Sequence, residues 1–177
     1  MKWWFKTIML LVAIGILYIS FVMASLSRVL EDEKSNKLRK IQIAYINNKG
    51  ERLCYKLPES KVLPNSIFYP IKSLRDSLWI SFSRDKTDKL RILLLVRDKK
   101  IEEFLLLSKN EFNEKVISKQ MSKIEGISDE LNVNFEEVGN IRMENSEIRQ
   151  RIEISNEFYK FFTEKFNNGE ELRNCYE

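Results

Sequence analysis

Thr7 to Leu26 is an unbroken run of apolar or small residues, about the twenty that a helix needs to cross a bilayer core, and it predicts a transmembrane helix over 7–27. Beyond it the pattern changes period. Ile41, Ile43 and Tyr45 alternate with polar or small residues, Asn47-Asn48-Lys49-Gly50 supplies turn chemistry, and Leu53, Tyr55 and Leu57 alternate again, which predicts a β-hairpin over 41–57. A lone hairpin is marginal, so its apolar face needs helices to lie against. Ile71, Leu74, Leu78 and Phe82 then recur at helical spacing with Trp79 beside them, predicting a short amphipathic helix.

The rest of the chain reads as two long helices. From Thr87 to Glu125 there is no Pro or Gly, and Leu90, Leu94, Ile101, Leu105, Phe112 and Val116 repeat at about eleven residues, the period of one nearly straight helix on the order of 60 Å long. Gly126 is expected to stop it, with Ser128 capping the next helix and Asp129 and Glu130 favouring its start. From Asp129 to Asn168 a heptad pattern places Leu131, Val138, Asn145, Ile152, Tyr159 and Phe166 on one position and Ile141, Ile148 and Phe162 on the other. Asn145 is suited to setting register and Gly139 is a weak point. The expected fold is mainly α: a transmembrane helix, a small β-hairpin, a short helix, and two long helices in an antiparallel hairpin with coiled-coil character. In that hairpin Leu105, Phe112 and Val116 would face Leu131, Val138 and Ile141 around Gly126. The segments are a cytoplasmic tail (1–6), the anchor (7–27), a charged juxtamembrane spacer (28–40), the hairpin (41–57), a helical domain (58–168) and a C-terminal tail (169–177).

Lys2, Trp3, Trp4 and Lys6 precede the apolar run, as expected of a helix whose N-terminal end rests at the headgroups. The same start also opens a signal peptide, and Val22-Met23-Ala24 would permit cleavage after Ala24. The length of the run and the lack of a breaking proline favour a retained signal anchor. Sidedness divides the signals. Arg28, Lys34, Lys37, Arg39 and Lys40 outnumber Lys2 and Lys6, which points to a cytoplasmic domain, whereas the short N-terminal tail points to an extracytoplasmic one, since a long domain translocates largely regardless of flanking charge. The expectation is a single-pass membrane protein with an extracytoplasmic domain; secretion after cleavage is the alternative. Ser20 and Ala24 make one small-xxx-small step, more simply read as lipid-facing sequence than as a dimer contact.

Charge changes the picture by exclusion. The chain holds 30 basic and 26 acidic residues; with Lys2, Lys6 and Arg28 set aside the remainder is nearly neutral, without the basic footprint of a nucleic-acid binder. There is no histidine, which removes the commonest metal ligand and general base and every Ser-His or Cys-His pair. Cys54 and Cys175 match no metal spacing; they either form one disulfide closing a long loop or remain unpaired thiols. No metal, cofactor or small-molecule substrate is implied.

Leu63-Pro64-Asn65-Ser66 and Tyr69-Pro70-Ile71-Lys72, followed by a short helix from Leu74 to Phe82, the polar turn Asp85-Lys86 and a charged helix with Arg97 and Glu102-Glu103, form a signature over 63–107. It resembles an uncharacterised bacterial domain family, a domain of unknown function in secreted or membrane-anchored proteins. The resemblance implies an extracytoplasmic helical module and no activity. On physical grounds Leu63, Pro64, Ser66, Tyr69, Pro70 and Lys72 read as a structural bracket in which Ser66 caps the short helix and Pro70 sits in its first turn.

The adjacent carboxylates Glu102-Glu103, Glu136-Glu137 and Glu170-Glu171 point about 100° apart on a helix and read as solvated charge, not acid–base pairs, so no catalytic residue is assigned. Phe158, Phe161, Phe162 and Phe166, with Tyr159, make a wide aromatic face, read first as core and second as a partner patch. Two functions follow. One is a membrane-tethered interaction or scaffolding module acting through a protein partner or self-association. The other is a holdase-like chaperone or envelope-stress sensor binding unfolded protein on an apolar helical face.

Overall fold

A computed structural model describes residues 2–34, 39–60, 62–83, 85–109, 114–139, 146–170, 172–173 and 175. Helix α1 spans Lys2–Lys34, strands β1 (Arg39–Ile46) and β2 (Arg52–Pro58) form an antiparallel hairpin, and helices α2 (Tyr69–Phe82), α3 (Lys86–Lys109), α4 (Glu114–Gly139) and α5 (Ser146–Asn167) follow. The hairpin pairs Ile43 with Tyr55 and Tyr45 with Leu53. Its turn is held by Asn47, whose side-chain oxygen accepts from the backbone N–H groups of Lys49 and Glu51, both at 2.9 Å, while Gly50 takes the positive φ of 79° that L side chains rarely adopt.

Helix α3 is the axis of the fold. Leu90 and Ile92 to Val96 are all buried; a helix apolar all round has neighbours all round. Against one side lie Val22 and Leu26 of α1 and Trp79 of α2. A second side meets Leu131 of α4 with Ile148 and Ile152 of α5. Toward its C-terminal end Ile101 and Phe104 join Ile43, Tyr45, Tyr55 and Leu57 of the hairpin, Met121 and Ile124 of α4, and Phe158 and Phe162 of α5. The hairpin thus completes its core on the helices.

The helical hairpin is present, but its turn is not at Gly126. Lys89 pairs with Glu130 at 3.0 Å and Gln120 donates to Glu103 at 2.9 Å, so α3 and α4 run antiparallel about the segment between Lys109 and Glu114. Leu131 accordingly meets Leu90, Leu93 and Leu94, not Leu105. Gly126, Ser128 and Asp129 lie inside α4, where an exposed glycine costs only about 1 kcal/mol against alanine and the flanking buried Ile124 and Leu131 hold the helix through it. The expected seam positions Phe112, Ile141 and Asn145 lie outside the described residues.

Helix α2 departs in a second way. Its buried face is Tyr69, Lys72, Asp76 and Trp79, while Ile71 and Leu74 of the expected apolar face are exposed. Helix α5 ends at a Schellman cap: Gly169, at φ 67°, donates to Phe166 O at 3.1 Å, and Glu170 donates to Lys165 O at 2.9 Å. The tail then returns to the hairpin. Ala44 N–H donates to Arg173 O at 3.0 Å and Cys175 N–H to Gln42 O at 3.3 Å, Leu172 packs on the aromatic core, and Cys175 is joined to Cys54 in a disulfide with Cα atoms 5.9 Å apart.

Candidate functional site

The polar face of α2 needs partners because Tyr69, Lys72 and Asp76 are directed onto α3. The partners come from three elements. Glu103 of α3, fully buried, is the hub: Lys72 forms an ion pair with its Oε1, Ser60 donates to the same oxygen at 3.0 Å, and Oε2 accepts from Lys100 at 3.1 Å, Tyr69 at 3.0 Å and Gln120 of α4 at 2.9 Å. Lys100 also donates to the Tyr69 hydroxyl at 2.7 Å, and Lys72 to Ser60 Oγ at 2.7 Å and Val62 O at 3.3 Å. Next to the hub, Glu102 accepts the Ser60 backbone N–H at 3.1 Å. A buried charge is tolerated when paired and hydrogen-bonded, and here both Glu103 oxygens are saturated.

The low dielectric moves these groups toward neutrality. Burial, together with the nearby Lys100 ammonium, draws Lys72 down to about 7, with Asp76 pulling against that fall. Burial likewise lowers Lys100 to about 8 and raises Glu102 to about 7, opposed by the Ser60 N–H and by Lys72. Tyr69 is raised by burial. Amines and carboxyls brought near neutrality can exchange protons at physiological pH. Lys100 lines a groove of about 380 Å³ between α2, α3 and α4, together with Ser73, Asp76, Lys123 and Glu130.

A second polar cluster ties α5 to the hairpin. Tyr55 donates to Asp98 at 2.7 Å and lies 2.6 Å from Ser155 Oγ, while Arg97 donates to Ser155 Oγ at 2.5 Å and Asn156 at 2.7 Å. Both clusters stem from α3 and act as polar registers in an otherwise apolar core.

The sequence-identified residues are divided by this arrangement. Tyr69 and Lys72 enter the Glu103 hub. Leu63, Pro64 and Ser66 shape the approach to it: Ser66 N–H donates to Leu63 O at 2.9 Å and Tyr69 N–H to Ser66 O at 3.0 Å. Ser66 does not cap α2, whose N-cap is Phe68 without a side-chain cap bond; its hydroxyl accepts the Phe68 N–H at 3.2 Å in the preceding turn. Pro70 is exposed in the first turn of α2. Glu102 and Glu103 are buried, contrary to the solvated-charge reading, because α3 has no free face. Ser60, Lys100 and Gln120 were not singled out; the signal was a helix with apolar residues on every side that still carries Lys99-Lys100 and Glu102-Glu103.

Phe158 and Phe162 of the aromatic face are core, Phe161 is half-buried and Phe166 is exposed. Phe158 stacks on Tyr55 with centroids 4.3 Å apart, Phe104 meets Phe162 edge-on at 5.4 Å and Phe166 at 4.8 Å, and Phe161 meets Tyr45 at 6.1 Å. Phe158 and Phe162 are not available as a partner patch. Among the described residues no cluster of candidate metal ligands occurs, and one helix, over Trp3–Asp32, is long and apolar enough to cross a membrane. No curated protein and no solved structure matches the chain. The family model for a domain of unknown function, DUF5667, matches residues 61–171, which takes in the approach to α2, the Glu103 hub and the helices that carry it, and the chain belongs to that family.

Proposed function

We propose that the protein is a membrane-anchored, extracytoplasmic helical module that acts by contact with a protein partner or a second copy and not by catalysis. The observation that carries this reading is the way the anchor is built into the fold. The Trp79 indole N–H of α2 donates to Val22 O at 3.3 Å and lies 3.2 Å from Ser25 Oγ, and Val22 and Leu26 are buried with it. Cleavage after Ala24 would cut α1 inside this contact and strip Val22 from the core, which supports a retained anchor over a signal peptide. The Cys54–Cys175 disulfide supports an extracytoplasmic domain, because such bonds persist in oxidising compartments. Family membership brings no activity, and the Glu103 hub, with its carboxylate saturated, is best suited to fixing α2 on α3. Of the aromatic face that a client-binding reading would use, Phe158 and Phe162 are core.

Two measurements on the full chain test this. It should stay with membranes through carbonate extraction, and protease added to intact spheroplasts should digest the domain. Release of a soluble species beginning at Ser25 would refute the retained anchor. Protection in spheroplasts with digestion after lysis would place the domain in the cytoplasm, as the flanking Lys/Arg count suggests.

A further inference from the structure

Helix α2 is inside out for a protein surrounded by water. Its polar face is buried on α3 while Ile67 (84% exposed), Phe68 (61%), Ile71 (56%) and Leu74 (53%) line up outward, with Pro70 exposed among them. Monomeric soluble proteins rarely display such a contiguous stripe without a use for it. The stripe is not isolated. Its C-terminal continuation, Leu78 and Phe82, packs on the cluster that holds Val22 and Leu26 of α1, and Ile14, Leu17 and Phe21 of α1 are exposed as the stripe is. The Tyr18 hydroxyl of α1 donates to Ile71 O at 3.3 Å, fixing the height of the stripe along the span.

Tyr18 lies fifteen residues after Trp3, or about 22 Å along the helix axis, and a bilayer core is roughly 30 Å thick. Ile71 therefore falls at the level of the hydrocarbon. Unpaired polar groups are costly in lipid, and part of the backbone here is already satisfied. Phe68 N–H is taken by Ser66 Oγ, Tyr69 N–H by Ser66 O and Lys72 N–H by Phe68 O, and Pro70 has no N–H. The hydroxyls of Ser77 and Ser81 return to carbonyls one turn earlier.

We infer that the segment from Ile67 to Leu74 is a second membrane contact, a half-helix inserted beside α1 into the leaflet on the domain side, so that the domain is clamped to the bilayer at two points. Its occupant is lipid acyl chain, because the Tyr18–Ile71 bond sets the stripe against the helix that is apolar enough to span the bilayer. The inference rests on the anchoring reading but not on sidedness.

The test uses the full chain in phosphatidylcholine–phosphatidylglycerol vesicles, with the Cys54–Cys175 disulfide kept closed and single cysteines introduced by Leu11→Cys, Phe68→Cys, Ile71→Cys or Val133→Cys for an environment-sensitive fluorophore. The unsubstituted chain serves as the labelling blank. With nitroxide on the lipid acyl chains, labels at 11, 68 and 71 should each lose at least about half their emission, as expected for probes in or just below the headgroup boundary, while the label at 133 is unaffected. Loss at 11 without loss at 68 and 71 overturns the inference and leaves the anchor standing. No loss at any position overturns the anchoring reading itself. Labels at 68 and 71 that are shielded from both lipid and aqueous quenchers would assign the stripe to a protein partner and overturn lipid as its occupant.

Discussion

The Tyr69 hydroxyl accepts from one ammonium and donates to a carboxylate, so removing it leaves several buried groups short of a partner at once. Tyr69→Phe is expected to cost about 1–3 kcal/mol, and Lys72→Ala about 3–5 kcal/mol, because the latter leaves a buried carboxylate without its first cation; chemical denaturation in detergent reads both. Equal, near-zero losses would mean that the hub is hydrated and its pairs contribute little. The same cluster sets the pH response. Glu102, held near 7 in place of 4.5, contributes stability that is full below its unfolded value and is lost as pH rises through about 7. Lys72 and Lys100, lowered from 10.5 to about 7 and about 8, contribute stability that is full above the unfolded value and is lost as pH falls through 8 and 7. Their opposed slopes place a stability minimum near neutrality. Melting temperatures of wild type and Glu102→Gln across this range check it: the variant should lose the fall on the acid side and keep the rise on the alkaline side. An acid limb that persists in Glu102→Gln belongs to another carboxylate.

At the scale of elements, Gly126 separates two accounts of the chain. As a helix stop it would take a positive φ, where a Cβ is strained; inside α4 it is helical, exposed and has nothing within 4 Å of an added Cβ. Gly126→Ala should therefore stabilise the protein by about 0.5–1 kcal/mol, read as a rise in the denaturation midpoint, and a loss of stability would return the turn to residue 126. Elements whose period is set by one buried face were legible from sequence. The spanning run, the Ile41–Leu57 alternation and the Asn47–Gly50 turn all signal locally. The α3–α4 turn was not, because a glycine is a strong mark on paper, while in the molecule the burial of Ile124 and Leu131 outweighs the small helical cost of Gly126. Helix α2 was legible as a helix but not in orientation: the rule that apolar residues face inward leaves out a polar face whose partners, Glu103 and Lys100, are themselves buried. Tyr69 and Lys72 were visible as a motif, yet their destination, Glu103, lies 31 or more positions away and becomes a partner only when α3 is enclosed on all sides.

For the whole molecule, the ends of the chain are what tie its halves together. The N-terminal helix enters the core through Val22 and Leu26, and the C-terminal tail closes on the hairpin through Leu172, Arg173 and Cys175. Cys54 and Cys175 are 121 residues apart, so their bond encloses α2 through α5 in one ring and removes a large part of the unfolded chain's freedom. A ring of that size is worth about 4–5 kcal/mol in the chain-entropy account, against a range of about 2–5 kcal/mol when native disulfides are removed. Cys54→Ser with Cys175→Ser should lower the stability of the full chain by an amount in that range. The effect should also be uneven. The Ala44 and Cys175 amides, bonded across to Arg173 and Gln42, depend on the tail staying in place, whereas the Tyr69–Lys100–Glu103 hub is held by side chains far from it. Hydrogen exchange should therefore quicken at Ala44 and position 175 in the double variant while the amides of α3 keep their order of protection, slowed only by the common loss of global stability. Uniform loss across α3 and the hairpin would show that the tail and the core open together, and unchanged stability would show that the ring adds no constraint beyond Leu172 and the two backbone bonds.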